Sequence, residues 1–203
     1  ATHTGDVTGA TALTIAADAV DIAMLSATGT ASATTYLRGD NAWSAISGGL
    51  SDVSIWRLYT DLTISAGVDT ILTNVEEDDT SGAGRVGSAM TQSSGIFTFP
   101  STGFWLITYY FNCGYNGATR YAAGRIHRTL DDASYDIVAY QNQFSEWSGD
   151  TAYGGTSSSF IFDVTDTAQC KVKFTAFSPQ AISVSGESTK NRTHMLFMKL
   201  GDT

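Results

Sequence analysis

Residues able to do chemistry are few in this chain, and they stand apart. Glu76-Glu77-Asp78-Asp79 offers carboxylate oxygens of the kind Ca²⁺ takes, yet four consecutive acids rarely converge on one ion, and the run reads as a solvated loop. Gly82-Ala83-Gly84-Arg85-Val86-Gly87 spells G-x-G-x-x-G, but no helix pattern follows it, as a dinucleotide site needs, so it reads as a loop. Arg38-Gly39-Asp40 is an integrin-type triplet and reads as a turn. His3, His127 and His194 have no ligand spacing and no Ser or Cys nucleophile beside them. His127, in Arg125-Ile126-His127-Arg128, reads as a strand surface residue. Asn191-Arg192-Thr193 is a glycosylation sequon, with meaning only on a eukaryotic secretory route. No catalytic constellation, metal site or cofactor site emerges, and a non-enzymatic protein is expected.

Composition narrows the partners. Among 203 residues, 11 Lys and Arg face 20 Asp and Glu, a net charge of −9, which argues against a nucleic-acid partner. No run of about 18 apolar residues could span a bilayer, and the first residues lack the pattern of a secretory signal. Only 15% of residues are charged and 20 are Gly, the profile of a β-rich chain with many turns. Cys113 and Cys170 are too few for a disulfide scaffold and wrongly spaced for zinc.

The elements that must carry any site fall into two regions. Residues 1–50 are rich in Ala, Thr, Gly and Asp. Ile15, Ala19, Ile22 and Ser26 recur at three/four spacing, so Ala16 to Leu25 is a short helix by pattern, too poor in large side chains to stand alone. From Ser54 onward, apolar runs broken by Gly, Ser, Asn and Asp predict strands near 55–64, 70–76, 95–99, 103–113, 119–129, 135–142, 157–164, 168–176 and 193–200. That many short strands without helices make an all-β sandwich or jelly roll over 54–203. In Gln169-Cys170-Lys171-Val172-Lys173-Phe174 the even positions are apolar. Gln169, Lys171, Lys173 and Thr175 therefore form a wet face, Cys170 faces the core, and both thiols are expected to be buried and unpaired.

Two passages carry a resemblance. Gly95-Ile96-Phe97-Thr98-Phe99-Pro100-Ser101-Thr102-Gly103-Phe104-Trp105-Leu106-Ile107 resembles the G-x-F-x-x-P-x-x-G-x-Y-x-F signature of C1q/TNF-like domains, with Trp105 and Ile107 at the usual Tyr and Phe. Met195-Leu196-Phe197-Met198-Lys199-Leu200 resembles that family's apolar final strand, without its Phe-x-Gly form. The resemblance implies an antiparallel jelly roll that forms homotrimers. His3-Thr4-Gly5-Asp6-Val7-Thr8-Gly9 and Thr35-Tyr36-Leu37-Arg38-Gly39-Asp40-Asn41-Ala42-Trp43 resemble segments of phage tail-fibre and other virion proteins. They imply a fibre-like N-terminal segment that attaches to other virion proteins, a place on a virion surface, and a head that binds a host-surface glycan or protein. A capsid decoration or head-fibre protein is the alternative.

Strand faces sharpen the trimer. Phe104, Leu106 and Tyr110 line one face of their strand and Trp105, Ile107, Tyr109 and Phe111 the other, so one apolar face lacks cover. Phe104, Leu106, Tyr110, Met195 and Phe197 are the expected trimer interface. Loops 114–118, 143–156 and 178–192 are the long ones. In the C1q-like arrangement they form the distal tip, where Tyr115, Asn116, Phe144, Trp147, Asp150 and Tyr153 are the expected ligand contacts.

Overall fold

The computed structural model describes residues 7–8, 14–15, 17, 19–45, 49–145 and 149–203. The chain divides into two compact units, residues 1–49 and 50–203.

In the first unit β1 (Val7–Thr8) pairs antiparallel with β2 (Thr14–Ile15), and β3 (Thr35–Leu37) with β4 (Trp43–Ala45). The pattern predicted a helix over Ala16 to Leu25. What forms in its described part is one 3₁₀ turn, Ile22–Met24, with no side-chain cap from Asp21. A segment this short gains too few hydrogen bonds to offset helix nucleation. Among the described residues of this unit none is buried, and Ile15, Val20, Ile22 and Met24 are each more than half exposed.

The second unit begins with β5 (Val53–Leu58), β6 (Thr60–Ile64), β7 (Thr70–Ile71), β8 (Val75–Glu77), β9 (Thr91–Ser93) and β10 (Ile96–Thr98). The long strands follow: β11 (Gly103–Tyr115), β12 (Thr119–Thr129), β13 (Asp136–Ser145), β14 (Ala152–Val164), β15 (Lys171–Phe177), β16 (Ile182–Glu187) and β17 (His194–Gly201). One sheet runs β13-β12-β15-β10-β9, with β7 also on β15. The other runs β6-β16-β11-β17-β5-β8, with β14 on the free side of β11. β16 and β17 meet successive stretches of β11, so they act as one strand interrupted at 188–193.

The core lies between the sheets and is aromatic. Phe97 packs on Phe174 at 5.5 Å and on Phe197 at 5.1 Å between ring centroids. Val172, Phe174 and Cys170 point inward while Lys171 and Lys173 point out, as the alternation requires. Thr175 departs from the expected wet face. It is buried, because its hydroxyl meets the His127 ring and Asp69, from the turn after β6, also reaches that ring. The signature residues earn their places structurally. Phe97, Phe99, Trp105 and Ile107 are core, and Gly103 has φ 136° with no room for a Cβ, which would lie 2.5 Å from the Gly201 carbonyl oxygen.

Several stretches differ from the strand pattern, among them 70–76, which is two strands, β7 and β8. The run 55–64 is two strands broken at Tyr59. β16 falls inside the stretch read as loop 178–192, because Ile182-Ser183-Val184-Ser185-Gly186-Glu187 has only two large apolar side chains. β14 begins at Ala152 although Gly154-Gly155-Thr156-Ser157 looks like loop, since its whole length pairs with β11, from Tyr115↔Ala152 to Gly103↔Val164. The loop expected at 143–156 shrinks to the connection 146–151.

Candidate functional site

Strand direction gathers four connections at one end of the head, opposite the C-terminus: 65–69, 116–118, 146–151 and 178–181. Residues 188–193, expected at the tip, lie instead between β16 and β17, partway along the sheet. Of the expected ligand contacts, Tyr115 ends β11 half-buried, with Gly117 folded over its ring. Asn116 is exposed in the turn. Phe144 on β13 and Tyr153 on β14 are 72% and 66% exposed. Asp150 is exposed and its carboxylate accepts the Thr151 N–H at 2.7 Å. Trp147 lies outside the described residues.

The fold brings three of these, Tyr115, Phe144 and Tyr153, around one cavity of about 220 Å³. Asn116 and Asp150 do not line it. The cavity exists because its walls are small: Ala122, Ala152 and Gly154 stand where the core nearer the other end has large side chains. Tyr153 lies across Gly114, its partner on β11, where a Cβ would sit 2.7 Å from the ring. Composition alone hid the polar part of the lining. Gln143, on the inward face of β13, donates from Nε2 to the Cys113 sulfur at 2.6 Å, while its buried Oε1 has no partner among the described residues. Burial pushes the Cys113 thiol up to about 11, against the pull of the Gln143 amide, so the sulfur stays neutral and is no nucleophile near pH 7. One step deeper, Gln141 donates to the Tyr109 carbonyl at 3.1 Å and accepts the Ser158 hydroxyl. The only sequence signal for this lining was glutamine at every second position of a strand, 141 and 143.

The second surface of interest is the outward face of the sheet holding β11. Phe104 (40% exposed), Leu106 and Tyr110 lie there, as expected. Met195 and Phe197 do not, which corrects their assignment to an interface. The register sets Phe197 opposite Ile107 and Met195 opposite Tyr109, so both point into the domain's own core and are fully buried. Their neighbours Leu196 and Met198, opposite Thr108 and Leu106, take the outward places. The strand is apolar on both faces, so only register could decide. Ile55 on β5 and Ile161 on β14 extend the outward patch. His194 stacks on Tyr110 at 5.2 Å at its edge.

The acidic run is neither a calcium loop nor freely solvated. Arg57, fully buried, donates to Glu76 at 2.8 Å, Asp78 at 2.7 Å and Asp79 at 2.5 Å, so a guanidinium fills the centre that a cation would take. Glu77 pairs with Arg85 of the Gly-rich loop at 3.0 Å. His127 is also corrected: it is 7% exposed, not a surface residue, because Asp69 and Thr175 close over it. Thr175 Oγ1 (3.0 Å) and Asp69 (3.4 Å) both approach the same nitrogen, Nε2. A relay needs the acid on the opposite nitrogen, and no such geometry forms here. Burial, outweighing Asp69, lowers the His127 pKa and keeps the ring neutral at pH 7. Arg38 and Asp40 pair at 3.4 Å in the turn of the β3–β4 hairpin. Thr193 of the sequon is buried, its hydroxyl tied to Asn112.

No family model matches the chain, and no curated protein matches it. Solved structures do. Eiger TNF from S. frugiperda aligns with TM-score 0.52 at 13% identity over 74% of this chain and 93% of that one. Murine APRIL at pH 5.0 aligns with TM-score 0.51 at 17% identity over 73% and 99%. The second unit is a TNF-like jelly roll. At such identity the likeness establishes the fold alone. In this jelly roll β14-β11-β17-β5 is the sheet whose outward face is largely apolar, while β13-β12-β15-β10 turns Arg125, Lys171 and Lys173 outward beside Tyr121, Ile137, Tyr140 and Phe177.

Proposed function

We propose that the chain is a non-enzymatic, homotrimeric head of a phage tail-fibre type, carried on a virion surface and binding a host receptor through its four-loop end. One observation carries the trimer. Phe104 and Ile161, exposed, and Leu106, Tyr110, Leu196, Met198 and Ile55, half-buried, form a largely apolar face on one side of this sheet. Soluble monomers seldom expose contiguous apolar patches beyond a few hundred Å². Three copies packed by this face would bury it around a three-fold axis, with the four-loop ends pointing the same way. The first unit, whose described residues include none that is buried, would gain cover from two sister chains. Its likeness to virion-protein segments supports attachment to a particle, and exposed Phe144 and Tyr153 support contact at the far end. Electron microscopy of particles labelled with an antibody to this chain tests the placement. Label at the tail supports the receptor-binding reading; label distributed over the shell overturns it in favour of capsid decoration.

A further inference from the structure

We propose that the cavity at the four-loop end is a subsite for one uncharged pyranose ring of a glycan, an inference that rests on that end being the receptor-facing one. Three observations converge. First, about 220 Å³ is room for roughly seven water molecules, the size of a single sugar ring and too small for a folded epitope. Second, its mouth carries two exposed aromatic side chains, Phe144 and Tyr153, whose faces suit the C–H face of a pyranose. Third, Gln143 lines the cavity, and its Oε1 is a buried acceptor without a donor among the described residues, packed so closely on Gly154 that a Cβ there would lie 2.6 Å from that oxygen. An unpaired buried acceptor carries a desolvation penalty, which a sugar hydroxyl would relieve once the Gln143 amide turns toward the cavity. A purely apolar ligand would leave it in place, and such sites discriminate strongly against analogues lacking the hydroxyl. Among the described residues no charged side chain lines the cavity, so a carboxylated sugar would lose its hydration with no described cation to meet it.

Cys113 in the cavity wall and Cys170 elsewhere in the core supply the readout. The full chain is titrated with glucose, galactose, N-acetylglucosamine and glucuronic acid while alkylation of both thiols by iodoacetamide is followed at pH 9, where more of the Cys113 thiol is ionised than near neutrality. An uncharged sugar should slow Cys113 saturably and leave Cys170 unchanged. Ala152→Leu at the mouth should abolish the protection. Gln143→Met, close in length and without the amide, should weaken it about tenfold, the worth of one hydrogen bond, with melting temperature monitored for both variants. Protection by glucuronic acid as strong as by the neutral sugars overturns the ligand class. No protection by any sugar, or protection that survives Ala152→Leu, overturns the subsite. Adhesion of the chain to host cells before and after periodate oxidation separates this from the broader reading. Adhesion that survives periodate overturns the sugar and leaves the receptor-facing end standing; adhesion to no cells overturns both.

Discussion

The two units of this chain solve opposite problems. Residues 50–203 enclose a core in which Trp105, Tyr109, Phe111, Phe174 and Phe197 are essentially out of contact with water. Residues 1–49 have short strand pairs and a 3₁₀ turn, and their described residues include none that is buried. The head can thus fold on its own contacts, whereas the described residues of the first unit bury no side chain that would offset the entropy of ordering them. A similar contrast runs through the head itself: one face of β11 is core, and the other, with Phe104, Leu106 and Tyr110, is largely apolar yet partly exposed.

Substitutions on β17 and β11 separate those faces. Phe197→Asp places a charge among Phe97, Phe99 and Phe174 and should unfold the head, because an unpaired buried charge costs several kcal/mol or more. Leu106→Asp, on the outward face of β11, should leave a cooperatively folding head and disrupt assembly. Circular dichroism with sedimentation velocity distinguishes them; equal loss of folding in both would erase the distinction between the faces.

Arg57→Met is expected to cost roughly 3 kcal/mol, since it removes one member of a buried ion cluster and leaves Glu76 and Asp78 unpaired. The loss should depend on pH. Burial pushes the Asp78 carboxyl up, but the Asn191 amide, the Thr80 N–H and hydroxyl and Arg57 outweigh it, so its pKa lies below the usual 3.8. A depressed folded pKa gives stability that is fully present above 3.8 and lost as pH falls through the lowered value. The gap between wild type and Arg57→Met, read from urea midpoints, should therefore narrow below that pH. A gap independent of pH would remove the carboxylates from the explanation.

Removing residues 1–49 should change the melting temperature of the head least of all, by the equivalent of under about 0.5 kcal/mol, the range of changes away from a core. A large drop in melting temperature would mean that the first unit supports the head core directly.

Much of the head was legible in the sequence, and the failures share a cause. Strands with one wet face, such as 171–174, announced both their existence and their inward side. The spacing of Gly95, Phe97, Phe99 and Gly103 marked positions that the packing requires. Stretches whose residues are small and polar, 152–156 and 182–187, read as loop because their stability comes from pairing with β11 and β6 and not from their own side chains. Met195 and Phe197 went to the wrong face because a strand apolar on both sides encodes no direction; the register with Ile107 and Tyr109 does. Of the candidate site, the aromatic rim at Tyr115, Phe144 and Tyr153 could be read. The Gln143–Cys113 contact could not, since it joins residues on different sheets.

Sedimentation equilibrium of the full chain at micromolar concentration addresses the trimer most directly. With a chain mass of 21.5 kDa, an assembly three times that mass is expected, stable to dilution through the micromolar range. A single species at 21.5 kDa would contradict it and leave the apolar face of β11 and β17 without the occupant assigned to it.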